Sequence, residues 1–225
     1  MSKTHVAKIK CPKCGRKNKA LLWDSINTVI NPEMKEKVRT GEAFVWICPE
    51  CGYHASLNYA MLYHQMEDEV MIYYVPGNPK EAAEMVKGFF HDDIAEKIGR
   101  KLSFNKNYQK RVVGTMNQLQ EKLMILDAGL DDRIIELMKL FITVQLQEKE
   151  PDLRVEECLF ERTEDGARRF VLNLGEGRWG ESDYIQDIYD RLAEEFRSIL
   201  SGRYDDIVVD SDWALGVWRD KNSKR

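Results

Sequence analysis

The first ten residues set apolar against polar positions with a period of two. Ala7 and Ile9 fall between Val6, Lys8 and Lys10, and the run ends at Cys11. That pattern predicts a short strand. Residues 21–30 are partly β-branched and show no clear period. Asn31-Pro32-Glu33 reads as a helix start, with asparagine at the cap and proline in the first position, and Gly41 beyond Val38 is a natural stop. Glu42–Ile47 predicts a strand, and Tyr53–His64 and Val70–Val75 predict an antiparallel pair around the polar Gln65–Glu69. Pro76-Gly77-Asn78-Pro79 then breaks the chain, and a first domain boundary is expected after residue 77.

Beyond that point the period becomes helical. Asn78 and Pro79 open a helix toward Lys101, with a break expected near Gly88. Val112, Met116, Leu119, Leu123, Leu126 and Leu130 recur at steps of four and three, an amphipathic helical stripe that stops at Gly129. Asp131 caps the next helix, which carries Ile134, Leu137, Met138, Phe141 and Ile142. The two make a helical hairpin whose Met and Leu stripe is core. Pro151 ends it. Leu153–Arg162 and Arg168–Leu174 flank Asp165-Gly166, a hairpin signal, and Cys158 reads as a small buried hydrophobe. Gly175–Gly180 reads as loop. Ser182 is expected to cap a last long helix with Ile185, Ile188, Leu192, Phe196 and Ile199 on one face, and Ile207–Val209 to form a short strand before a Trp-rich end. The expected class is α+β. A ribbon-like β module (1–77) is followed by a helical region (78–149) and by a β-hairpin plus helix packed on the helices (150–225).

Four of the five cysteines lie in two copies of one pentapeptide, Cys11-Pro12-Lys13-Cys14-Gly15 and Cys48-Pro49-Glu50-Cys51-Gly52. Two thiolates three residues apart can sit on one side of a tight turn and fill two corners of a tetrahedron, about 2.3 Å from zinc. Proline after the first cysteine fixes φ, the amides that follow are free to donate to sulfur, and glycine after the second permits φ > 0. Two such turns complete an S4 shell without an open position, which marks a structural Zn2+ site. Fe is the minor alternative, since S4 geometry admits either metal. The start of the chain has charge but no apolar stretch, so no export signal is read, the cytoplasm is the expected compartment, and reduced thiols are expected.

The paired motifs resemble those of the CpXC domain, a bacterial and archaeal family named for them. The resemblance continues through Leu62-Tyr63-His64 and Met71-Ile72-Tyr73-Tyr74-Val75-Pro76. Asn117-Gln118-Leu119-Gln120-Glu121-Lys122 and Gly129-Leu130-Asp131-Asp132-Arg133 look like the extension of longer members. It covers roughly residues 5–142 and leaves 150–225 unmatched. It implies a zinc-ribbon-like module and carries no established activity. Trp46-Ile47-Cys48-Pro49-Glu50-Cys51-Gly52 is also similar to the second half of rubredoxin, an iron electron carrier, and Asn31-Pro32 sits where rubredoxin has an acidic-Pro turn. Arg16-Lys17-Asn18-Lys19 departs from the tyrosines that shield iron there, and this charged flank suits zinc better.

Charge divides the chain unevenly. The formal net charge is −4, yet residues 1–60 carry ten basic against five acidic groups, and the first twenty carry seven basic groups and no acid. The reading preferred here is that Lys10, Lys13, Arg16 and Lys17 serve the thiolates, with nucleic-acid binding as the alternative. A second basic stretch, Arg100-Lys101 through Lys106 to Lys110-Arg111 with Phe104 and Tyr108, reads as a solvated connector. His54 is surplus to a four-sulfur shell. His64 and His91 stand near carboxylates and are candidate bases, but no nucleophile elbow, His-Glu-x-x-His or phosphate-binding loop accompanies them. An enzyme is therefore not expected. No apolar run approaches the ~20 residues of a membrane span. The expected role is a binding or scaffolding module with a protein partner.

Overall fold

The period-two start of the chain forms β1 (Lys3–Lys10), which turns through the first cysteine pair into β2 (Lys17–Asn27) and pairs with it antiparallel. The computed structural model describes residues 2–90, 108–163 and 165–223. The chain forms two compact units, residues 1–120 and 121–225. β7 (Gln109–Val113), in the first unit, joins a sheet begun before residue 77.

That sheet has the order β1-β2-β5-β6-β7, with β5 at Met61–Gln65 and β6 at Val70–Tyr74. β5 and β6 pair antiparallel, as expected, whereas β2–β5 and β6–β7 are parallel. Met61, Tyr63 and Gln65 alternate onto the buried face of β5. The run Tyr53–His64 is split between two sheets. His54–Ser56 is β4, which pairs with β3 (Val45–Ile47), and β5 begins after Leu57–Ala60. The expected strand Glu42–Ile47 is halved as well, since Gly41, at φ 79°, leads into a 3-10 turn at Glu42–Phe44. Helix α1 (Glu33–Arg39) ends before Gly41 as its sequence requires. It is tied to the sheet by Arg39, which donates to Tyr63 Oη at 2.9 Å and Gln65 Oε1 at 3.1 Å.

Asn78 caps α2 (Pro79–Phe90), its Oδ1 accepting the Lys80 amide, and the helix passes Gly88 without a break. The rest of the expected run to Lys101 lies outside the described residues. Val112 belongs to β7, opposite Tyr73, and not to the helix that its spacing suggested. The helix, α3, starts at Met116 and runs to Asp127. Thr115 and Gln118 cap it reciprocally, the Gln118 amide donating to Thr115 Oγ1 and the Thr115 amide to Gln118 Oε1. Just before it, a Cβ on Gly114 would meet the Gly77 carbonyl at 2.1 Å, so only glycine allows the Pro76–Pro79 turn to lie against the end of β7.

In the second unit Gly129 stops α3 and Asp131 caps α4 (Asp132–Lys149), its carboxylate accepting the Arg133 amide. β8 (Glu157–Arg162) and β9 (Arg168–Asn173) form the expected hairpin. A third strand, β10 (Trp179–Asp183), occupies part of the expected loop and includes Ser182, so α5 starts later, at Gln186, and runs to Leu200. Ile207–Val209 is irregular, and the Trp-rich end is a helix, α6 (Ser211–Ser223), with Asp210 accepting the Trp213 amide. Trp218 packs on Phe141 and Phe196 in a core shared with Ile134, Leu137, Phe160, Phe170 and Leu192. Cys158 is buried there, as expected.

Five charges lie inside this unit. Lys122 Nζ is 3.0 Å from Asp132, 3.1 Å from Glu136 and 2.9 Å from the Val209 carbonyl. Lys139 Nζ reaches both oxygens of Glu121 and Glu136 Oε1, and Glu121 also accepts the Phe160 amide at 2.7 Å. Among the described residues no helix is long and apolar enough to cross a membrane.

Candidate metal centre

The two cysteine turns share one backbone pattern. The Cys11 amide donates to the Arg16 carbonyl and the Gly15 amide to the Cys11 carbonyl; the Cys48 amide donates to Tyr53 and the Gly52 amide to Cys48, all at 2.8–2.9 Å. Gly15 and Gly52 take φ of 72° and 66° with open space around them, so it is the backbone conformation that calls for glycine. β1 and β2 carry the first turn, β3 and β4 the second. Ala20, Leu22 and Trp46 pack with Cys11 and Cys48 between them.

This brings Cys11, Cys14, Cys48 and Cys51 together, with all four sulfurs within 4.8 Å of one another. Cys11 and Cys51 are 3.7 Å apart, Cys14 and Cys48 3.8 Å. A tetrahedral S4 shell with bonds of about 2.3 Å has sulfur–sulfur edges of about 3.8 Å. The donor set therefore fits a single metal ion. Cys11 and Cys48 are buried while Cys14 is exposed, which places the centre at the surface end of the hairpin.

The surroundings suit thiolates. Asn18 Nδ2 donates to Cys48 Sγ at 3.8 Å. Burial opposes ionisation of Cys11, but the Cys14 and Lys13 amides and neighbouring thiols bring its pKa down to about 7. Cys51 accepts the Tyr53 amide, yet burial and the three other sulfurs push it up to about 12. Four thiolates this close repel one another, and a divalent cation would offset that repulsion. Glu50 pairs with Arg16 across the two turns. That exposed pair contributes little.

The histidines stand elsewhere. His54 is exposed on β4 and outside the sulfur cluster, and His91 lies outside the described residues. His64, on β5, has Nε2 3.0 Å from Tyr108 Oη. Burial lowers its pKa from 6.5. The unfolded chain then takes up the proton first, so stability falls as pH drops below 6.5. An NMR titration is expected to put the His64 midpoint below that value; a midpoint above it would show a charged, exposed ring. His5 contacts Asp24 at 2.7 Å, a pair that strand alternation alone does not reveal. Of the second basic stretch, Lys110 and Arg111 lie in β7 and Arg111 is buried, so this part is sheet and not a solvated connector. Arg100, Lys101, Phe104 and Lys106 lie outside the described residues.

With this geometry in view, comparison with protein families finds that the CpXC protein family model matches residues 9–139. The chain belongs to the CpXC family. The match takes in both cysteine turns, strands β2, β5, β6 and β7 of the first sheet and the charge cluster of the second unit. No match is found among curated proteins or among solved structures.

Proposed function

We propose that Cys11, Cys14, Cys48 and Cys51 hold one structural Zn2+, and that the chain is a metal-stabilised binding module for a protein partner. The observation that carries this reading is the four-sulfur cluster, whose two short edges match a zinc–thiolate tetrahedron. Four protein sulfurs leave no position for substrate. The exposed Arg16, Lys17 and Lys19 beside the centre favour zinc over a shielded iron. The metal's task is folding. β3 and β4 have three residues each, and among the described residues the core between the turns has Leu22 and Trp46 as its large buried side chains. So small a β module needs the ~10–16 kcal/mol that structural zinc supplies. A protein partner is supported by Val6 and Leu21, which face each other across the hairpin at 60% and 61% exposure.

Elemental analysis of the chain purified without chelator is expected to find about one zinc per chain in a colourless solution, since Zn2+ is d10. A red protein with iron would replace this reading by electron transfer. Affinity capture is expected to enrich a defined protein and to lose it on Leu21→Glu. Nuclease-sensitive capture of nucleic acid would contradict the protein-partner reading.

A further inference from the structure

Four lysines of the first hairpin pair with no carboxylate among the described residues. Lys8 stands opposite Lys19 and Lys10 opposite Lys17, all four exposed, and none makes an ion pair among the described residues. Ala7, Ile9, Ala20 and Leu22 turn toward Trp46 and Cys48, so the lysines share the outward face with Val6 and Leu21. Like charges directly across two strands destabilise a hairpin. β1 is also the outer strand of its sheet, and the backbone groups on its far side have no partner among the described residues. Lysines guard such an edge against neutral or basic strands; the same charges attract an acidic one.

We propose that the β1 edge takes an extended acidic segment of a partner protein, added as a further strand. The inference rests on the protein-binding reading above and names the chemistry of the partner. In an added strand, alternate side chains recur every ~6.6–6.8 Å on one face and lie ~4.7–4.9 Å from their neighbours. Lys8 and Lys10 have that same repeat. Two alternate Glu or Asp residues would therefore stand opposite them, with Lys17 and Lys19 one strand beyond, and an apolar residue at the next alternate position would meet Val6. A phosphodiester backbone could use the ammonium groups but has no N–H to give the free carbonyls of the edge. A polypeptide strand satisfies both rows.

Fluorescence anisotropy with the zinc-loaded full chain at about 0.15 M salt tests this. The probes are a short labelled peptide alternating threonine with glutamate, the same peptide N-methylated on alternate backbone amides, and a labelled single-stranded oligonucleotide. Saturable binding of the first peptide is expected, with about tenfold loss on N-methylation and about tenfold loss in a Lys8→Glu, Lys10→Glu variant that keeps its zinc. The peptide arm does not depend on the variant folding. Equal binding of the N-methylated peptide, tighter binding of the oligonucleotide, or no peptide binding would each overturn the proposal. If the peptide fails while protein capture remains sensitive to Leu21→Glu, the docking mode falls and the binding-module reading stands.

Discussion

Replacing Cys51 or Cys14 with serine is expected to abolish metal binding and unfold the two cysteine turns, while residues 121–225 keep their structure. Each turn supplies two corners of one tetrahedron, and a three-sulfur set loses most of the binding energy that substitutes for a core. The side chains between the turns cannot compensate, because alanines and a few half-buried residues surround Leu22 and Trp46. The second unit has its own core, from Ile125 to Val217, which contains none of the four clustered cysteines. Zinc analysis and amide NMR spectra check both halves. Cys158→Ala is the control: its thiol lies in the second core, where burial pushes its pKa up to about 12, and its replacement should leave zinc content unchanged. Metal loss from that variant would mean that the ligand set is misassigned.

Lys122→Met is expected to destabilise the second unit by about 3–5 kcal/mol, because it leaves Asp132 and Glu136 buried without their cation. Lys122 is 6% exposed, and its ammonium meets two carboxylates and a carbonyl, so water cannot take its place. Lys35→Ala, which breaks a half-exposed pair with Glu67, should cost less than about 1 kcal/mol. Burial works against the Lys122 charge, but Asp132, Glu136 and Glu121 outweigh it and raise its pKa above 10.5. Its contribution is therefore complete at neutral pH and is lost only as pH rises through the raised folded-state value. Urea unfolding of the two variants measures the contrast. Equal costs would mean that the buried charges do not hold the helices.

The elements most legible in sequence were those whose signal is local. The cysteine turns, Gly41, Asp131 with Gly129, and the Asp165-Gly166 hairpin each fix their own backbone, and each is found where its residues put it. What periodicity could not show was pairing. Tyr53–His64 is one β-like run in sequence, but its halves find different neighbours. Val112 fits a helical stripe and is claimed by the parallel partner Tyr73, a contact 39 residues away. The capping signal Thr115-x-x-Gln118 marks the true helix start and outweighs the period. The apolar residues of α6, Trp213 to Trp218, span less than two turns, and their helical context comes from Phe141 and Phe196. The charges of Glu121, Lys122, Asp132, Glu136 and Lys139 look like ordinary helix-surface residues until tertiary contact buries them.

X-ray absorption at the zinc edge of the purified chain tests the metal assignment most directly. The account predicts four sulfur scatterers at about 2.3 Å and no nitrogen or oxygen ligand. A shell with fewer sulfurs, or an absorber other than zinc, would contradict it.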